Sequence, residues 1–534
     1  MRLNNQELQT MPREIELPAF RREQVVQNTM ERPTWLHFGP GNIFRAFIAS
    51  LQQSLLNQGL TDTGIIAVAP NSSEIMDKIY HPHDNLSLLV TMLPDQSVKQ
   101  KVIGSVTEGL SAVPGTADWQ RLQSILQAET LQILSFTITE KGYKTKGMDG
   151  AWLPAVAADL AAGPQEPMQS LPGKVTSLLY ARFAGGQKPL TLLSLDNCSK
   201  NGLVLQTMVA EVAEAWRMKA LVSQDFCAYL QQKITYPCTM IDKITPRPSE
   251  RVRDLLLKEG FADMDFVKSG RGGWYAPFVN AEKTEYLVVE DRFANGRPPL
   301  ENAGVIFTDA KTVEKVERMK VCTCLNPLHT ALAVFGCLLG YQSIAAEMKD
   351  PLLKRLVERL GYEEGMKVVT NPGVLDPKQF IDECIEVRFP NPAIPDTPQR
   401  IACDTSQKMG IRLGETIKSY AVSDTLQAKD LKILPLVIAG WCRYLLGVDD
   451  KGETFTVSPD PMAAELQQQL AKIEVGQPVE DLHGTLQPIL TNRSIWRSDL
   501  YEVGLGEKIE GYFSELLQSK GAVRKSLEKY VGEE

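Results

Sequence analysis

Residues 320–336 read KVCTCLNPLHTALAVFG, which sets Asn326 six and His329 nine positions after Lys320 in a chain with only five histidines. An amine can carry a proton, an amide can hydrogen-bond an oxygen and an imidazole can do either, so the trio is a candidate acid–base site. It also describes a buried segment that merely contains these three types. Asn326 and His329, three apart, share one face of a helix. Lys320 would fall on the face opposite His329 in a regular helix, because each residue turns about 100°. Cys322 and Cys324 raise a zinc site with His329, but no second cysteine pair and no HExxH segment accompanies them, so no structural metal is expected.

A second stretch points to phosphate chemistry. GPGNIF supplies Gly39 and Gly41 of a GxGxxG pattern, with Phe44 in the third glycine position. Two such glycines allow a tight turn and a close approach of backbone N–H groups to a pyrophosphate at a helix N-terminus. The third normally allows close helix–strand packing, so Phe44 implies a wider contact. Gly39, Gly41, Asn42, Ile43, Phe44 and Arg45 are therefore candidate cofactor-binding residues. An acidic residue expected after the second strand, for the ribose hydroxyls, is missing. Asn71 takes its place in APNSSE, with no arginine for a 2′-phosphate, which leans the cofactor toward NAD with NADP still open.

These residues need elements to hold them. TWLHFGPGNIFRAF reads as strand, glycine turn and helix, and GIIAVAP (64–70) as the next strand, the rhythm of a βαβ unit. LSLLVTML (86–93), LQILSFTIT (131–139) and LTLLSL (190–195) continue the alternation. The expectation is an α/β fold with a mostly parallel sheet that binds ligands at the carboxyl ends of its strands. After about residue 300 apolar positions take helical spacing, which predicts a mainly helical domain over 301–534 behind a nucleotide-binding domain over 1–300.

A length of 534 residues calls for at least two cores. The net charge of −8 argues against a nucleic acid or an anionic membrane as the main partner. No uninterrupted apolar run reaches about 18 residues, and the first twenty lack a signal-peptide core. Nine scattered cysteines read as free, mostly buried thiols, and a cytoplasmic protein is expected.

Eight collinear stretches resemble the polyol-specific long-chain dehydrogenases, the mannitol dehydrogenase family. They are HFGPGNIFRAF, TITEKGY (137–143), LSLDNCSKNG (193–202), YPCTMIDKITP (236–246), VVEDRFANGRP (288–298), MKVCTCLNPLHTALA (319–333), RFPNPAI (388–394) and RIACDTSQK (400–408). The resemblance implies a Rossmann-type N-terminal domain, a mainly α-helical C-terminal domain and zinc-independent hydride transfer between a nicotinamide and a secondary carbinol. By motif position it implies Lys320 as the acid–base group, Asn197 and Asn326 on the reacting oxygen, and His329 holding substrate. Asp242, Arg400 and Lys408 match positions near the substrate. The types suit the chemistry: a desolvated lysine with cationic neighbours can accept the carbinol proton, and two amides can stabilise the alkoxide.

The family usually places Asn five and His eight residues after the lysine, so this chain carries one extra residue. Two devices could absorb it. One is a π-bulge. The other is a helix restarting with Asn326 as N-cap and Pro327 at its first helical position, which frees Lys320 to point elsewhere.

The substrate is expected to be a small polyol or sugar acid. Chain length suits the enzymes that interconvert D-mannonate and D-fructuronate, with mannitol or another polyol, or altronate and tagaturonate, as alternatives. A carboxylate substrate favours an extra arginine, and Arg292, Arg297, Arg388 and Arg400 are candidates. A non-catalytic nucleotide-dependent sensor and a helical interaction scaffold are readings of other classes. Oligomeric state is not legible.

Overall fold

A computed structural model of the chain describes residues 1–147, 149–270 and 272–532. It divides into two compact units, Met1–Leu93 with Ser97–Glu314, and Lys315–Glu534 with Pro94–Gln96.

The first unit is built on six strands: β1 (Trp35–Phe38), β2 (Ile65–Ala69), β3 (Val106–Ser111), β4 (Ile133–Phe136), β5 (Leu190–Ser194) and β6 (Ile234–Thr235). They pair in the order β3-β2-β1-β4-β5-β6, every pair parallel. This is the 3-2-1-4-5-6 order of the dinucleotide-binding sheet, which reverses direction beside β1. β1, β2, β4 and β5 are buried throughout because both faces are covered. Alternate residues serve opposite cores: Leu36 and Phe38 pack on one side, Trp35 with Ile65 and Ala67 on the other.

Two sequence expectations shift here. LSLLVTML forms a strand, Ser87–Met92, but outside the parallel sheet. It pairs antiparallel with Val98–Ile103 across a short turn and belongs to a separate four-stranded sheet. The place it was expected to fill is taken by β3, VTEGLS, whose Thr, Glu and Gly disguise a strand. A further three-stranded sheet joins β7 (Thr239–Asp242), β8 (Tyr286–Glu290) and β9 (Ile306–Thr308). The helix after the glycine turn opens with a π turn, Phe44–Ile48, and continues as α1 (Ala49–Asn57). α2 (Asn201–Met218) buries Leu205, Met208, Val209, Val212 and Trp216, the spacing of one helical face.

The second unit is helical. α3 (Ala310–Met319), a π segment (Lys320–Cys324) and α4 (Asn326–Leu339) follow one another almost without interruption. Over Ala310–Leu339 an 18-residue window has a mean hydropathy of 1.5, long and apolar enough to cross a bilayer, and 83 % of it is buried inside the protein. The run-length reading passed over it because Thr323, Asn326, His329 and Thr330 interrupt the apolar residues without adding acidic or lysine charge. Further on, α5 (Thr405–Met409) leads through another π segment (Gly410–Gly414) into α6 (Glu415–Ala421). α7 (Ile433–Leu445) is buried on every side and packs on α4.

Candidate functional site

The turn after β1 is shaped by backbone. Gly39 has φ +102, and a Cβ there would lie 2.0 Å from the Thr137 carbonyl oxygen, so no other residue fits. A Cβ on Gly41 would meet nothing within 4 Å, the open side a phosphate would approach. Phe44 is fully buried and stacks on His37 at 4.1 Å between ring centroids. Burial pushes the His37 imidazole down to about 3, so it packs as a neutral ring.

Asn42 and Arg45 brace the turn from behind. Arg45 is 1 % exposed and donates from Nη1 to the Ala276 carbonyl (2.7 Å) and from Nη2 to Asn42 Oδ1 (3.0 Å). Asn42 Nδ2 donates to the Pro246 carbonyl at 3.3 Å. Ile43 is half-buried, and Asn71 is exposed past the end of β2.

A cleft of about 540 Å³ opens in front of the turn, lined by Gly39, Gly41, Asn71, Thr139, Lys144 and Ser170 among others. Its position at the carboxyl ends of β1, β2 and β4, the glycine cradle and the exposed Lys141 and Lys144 on its wall suit a dinucleotide. Those lysines were missed in the sequence because nothing in TITEKGYK marks which polar residues face inward. Thr139, with φ +63, is a strained non-glycine residue at the cleft.

Asp196 holds that strain. Its carboxylate accepts from the Ile138 and Thr139 backbone N–H groups, each at 2.9 Å, and from the Tyr143 hydroxyl at 2.6 Å. It thereby ties the end of β4 to the loop after β5 that carries Asn197, whose side chain is exposed. Asn201, later in the same motif, is buried and structural. It donates to the Asp196 carbonyl and accepts from Thr239 N–H. Asp242 ends β7, 5 % exposed and opposite Tyr286 in register.

In the second unit the π turn occurs together with a helix restart, the restart coming one residue earlier than expected. Leu325 N–H donates to the Lys320 carbonyl (3.1 Å), a five-residue π bond, and Leu325 then leaves helical geometry at φ −124, ψ −63. α4 starts at once, with His329 N–H bonded to the Leu325 carbonyl. The N-cap position falls on Leu325, so Asn326 is the first helical residue rather than the cap, and Pro327 is the second rather than the first. The widened turn absorbs one residue between Lys320, which is 3 % exposed, and the half-buried Asn326 and His329. Cys322 and Cys324 are buried, and desolvation raises both thiols, Cys322 to about 11. Among the described residues no three His, Cys, Asp or Glu side chains converge as metal ligands.

His329 Nε2 lies 3.0 Å from Asp396 Oδ2, close but off the axis of a good hydrogen bond, and its ring packs 5.2 Å from that of Phe389. Burial depresses the imidazole despite Asp396, so it is neutral at pH 7. Burial works to raise the Asp396 carboxyl, but His329 and Arg400 outweigh it and hold it below the usual range. Arg400 grips Asp396 Oδ1 through Nε (2.9 Å) and Nη2 (2.5 Å). Lys408 donates to the Cys403 carbonyl at 2.7 Å, and burial together with nearby Arg412 lowers its ammonium. Beneath α4, Glu347 is fully buried with neither oxygen hydrogen-bonded among the described residues. Gly336 makes room for it, since a Cβ there would lie 2.2 Å from Oε1. Desolvation, then Asp396 and Asp350, push this carboxyl up to about 9.

Of the arginines singled out for a carboxylate, Arg292 pairs with Glu290, and Arg297 pairs with Asp291 and Glu301 and stacks on Phe307. Arg388 is 6 % exposed beside Cys384.

Residues 33–302 match the family model described as the mannitol dehydrogenase Rossmann domain, and residues 312–509 match the mannitol dehydrogenase C-terminal domain. A D-mannonate oxidoreductase of Thermotoga maritima is 51 % identical over 97 % of this chain and 96 % of its own length. A mannitol 2-dehydrogenase of Pyrenophora tritici-repentis is 30 % identical over 89 % of this chain and 79 % of its own. The solved ternary complex of Pseudomonas fluorescens mannitol 2-dehydrogenase with NAD and D-mannitol superposes with a TM-score of 0.73 at 28 % identity, covering 99 % of each chain. A substrate-free D-sorbitol dehydrogenase reaches 0.82 at 27 % identity, covering 99 % of this chain and 100 % of its own. With the glycine cradle and the parallel sheet already placed, these likenesses make the chain an NAD-dependent oxidoreductase of alcohol groups, and it belongs to the mannitol dehydrogenase family.

Proposed function

We propose that the chain interconverts D-mannonate and D-fructuronate, with Lys320 as the acid–base group. The observation that carries this reading is the 51 % identity with a D-mannonate oxidoreductase along nearly the whole of both chains. NAD, when bound, supplies the hydride acceptor. In oxidation Lys320 takes the hydroxyl proton as negative charge develops on the oxygen. The amides of Asn197 and Asn326 donate hydrogen bonds to that oxygen and stabilise the developing charge. Neutral His329, steadied by Asp396, orients a neighbouring hydroxyl, and Asp242, Arg400 and Lys408 bind the remainder of the substrate. Gly39 and Gly41 give the pyrophosphate its backbone cradle, Ile43 and Phe44 begin the helix whose N-terminus faces it, and Asn71 lies where the adenosine ribose would bind. Asn42 and Arg45 keep the cradle in shape. Nine free cysteines among the described residues favour a reducing compartment, so we place the enzyme in the cytoplasm.

The test is the growth of reduced-nicotinamide absorbance with NAD or NADP and, side by side, D-mannonate, D-altronate and D-mannitol. Turnover of D-mannonate with NAD, far above the other two, is expected. Preference for D-mannitol would overturn the substrate, and silence with all three despite NAD binding would overturn the reaction.

A further inference from the structure

The π segment Gly410–Gly414 carries a guanidinium that none of the assignments above uses. Arg412 is half-buried, and its one hydrogen bond among the described residues runs from Nη1 to the Thr330 hydroxyl at 2.7 Å. Among the described residues no carboxylate pairs with it. Charged groups taken out of water in folded proteins are normally paired, because the desolvation cost is otherwise uncompensated. Among the described residues Arg400 is held by Asp396, Arg292 by Glu290 and Arg297 by Asp291 and Glu301, and the buried Arg45, which has no carboxylate, spends two nitrogens on the Ala276 carbonyl and Asn42. Arg412 has neither a carboxylate nor a second bond among them.

Its surroundings say what is missing. Thr330 is the residue after His329 on α4, so the bond to Thr330 pins the guanidinium beside the imidazole. Lys408 lies four residues before Arg412, one helical turn away, and Arg412 acts on both of its neighbours, lowering the Lys408 ammonium and the His329 imidazole. Asp404 and Asp460 are close enough to support Lys408, but neither supports Arg412. Burial alone lowers the guanidinium to about 10, still charged at neutral pH. With Nη1 engaged by Thr330, the side-on edge formed by Nε and Nη2 remains, which matches the two oxygens of a carboxylate.

We propose that Arg412, with Lys408, is the subsite for the carboxylate of a sugar-acid substrate and so selects acids over neutral polyols. The proposal rests on the D-mannonate reading and deepens it. A neutral polyol would leave the guanidinium unpaired, while an aldonate supplies the missing anion at the end of its carbon chain remote from the reacting carbinol. Because this contact is made equally in ground and transition states, its loss falls on KM more than on kcat.

The test compares wild type, Arg412→Gln and Arg412→Lys in initial rates with D-mannonate at saturating NAD. NAD affinity and melting temperature are measured on each. Arg412→Gln is expected to raise KM by about 30-fold or more, the usual cost of removing one partner of a desolvated charge pair. Arg412→Lys keeps the charge without the fork and should fall between. As a second readout on wild type and Arg412→Lys, inhibition by D-gluconate is compared with that by neutral D-glucitol. The acid should bind the more tightly to wild type, and the margin should shrink in the variant. A KM within threefold of wild type in a folded Arg412→Gln, or a fall in kcat with KM unmoved, would overturn the subsite. So would equal inhibition of wild type by acid and polyol. Wild type that oxidises no sugar acid would sink the D-mannonate reading itself and the subsite with it; wild type active on D-mannonate with indifferent Arg412 variants sinks the subsite alone.

Discussion

At the turn after β1 the chain offers backbone, whereas along Lys320–His329 it offers side chains. In the first region Gly39 adopts φ +102 and the space above Gly41 is empty of side chains. In the second, three polar side chains must be aimed from one buried helix, and a π turn with a break at Leu325 does the aiming. The difference teaches how each region tolerates change. A backbone site fails when any side chain is added at its pivot, while a side-chain site can absorb an inserted residue if the helix carrying it loosens by the same amount.

Mutations can break this contrast in order of expected size. Lys320→Ala removes the proposed proton carrier and should lower kcat by about 10²–10⁴-fold. NAD affinity, read by protein-fluorescence quenching, should stay within about twofold, because the cradle lies elsewhere in the chain. Equal turnover in Lys320→Ala and wild type would end the acid–base assignment.

Gly39→Ala attacks the backbone site at its pivot. The forbidden φ and the contact with the Thr137 carbonyl should cost about 3 kcal/mol or more in denaturant unfolding, with loss of NAD binding. Gly41→Ala should leave unfolding unchanged, since a Cβ there meets nothing, yet weaken NAD about tenfold by standing where a phosphate is hydrogen-bonded. If both variants lost stability equally, the open side of Gly41 would not be a ligand surface.

The smallest effect concerns Glu347. Its carboxyl titrates near 9 when folded and in the ordinary range when unfolded, so the folded state binds the extra proton between those limits. Stability attributable to this group is complete below the unfolded value and drains away as pH rises toward 9. Glu347→Gln, neutral at every pH, should therefore melt higher than wild type, by about 2 °C or more at pH 8.5 and by less at pH 5. A gap that is constant with pH would show that Glu347 is not held protonated.

Much of the first unit was legible because a parallel sheet writes itself into sequence as short apolar runs at βαβ intervals, and WLHFGPG carries its own turn chemistry. β3 was not legible, because its burial comes from neighbours rather than from an apolar pattern. LSLLVTML was misplaced because an apolar run does not reveal which sheet it joins. In the second unit the helices were plain from periodicity, and Lys320, Asn326 and His329 stood out by type and spacing. A π turn and a helix restart were legible as alternatives, but the structure combines them and caps the new helix at Leu325 rather than at Asn326. Arg412 was invisible: it is one arginine among many until Thr330 and the missing carboxylate single it out.

The apolar run through α3 and α4 has a consequence for synthesis. Residues up to Leu339 leave the ribosome before α7, which packs on α4, has been made. At ordinary elongation rates the residues up to Ile433 take about 5–20 s, during which a segment apolar enough for a bilayer lacks the cover of α7. Asn326, His329 and Thr330 fall inside that segment, where polar residues are costly in lipid. The residues proposed to hold substrate thus also make the nascent chain a poorer passenger for membrane insertion and leave it for its own core.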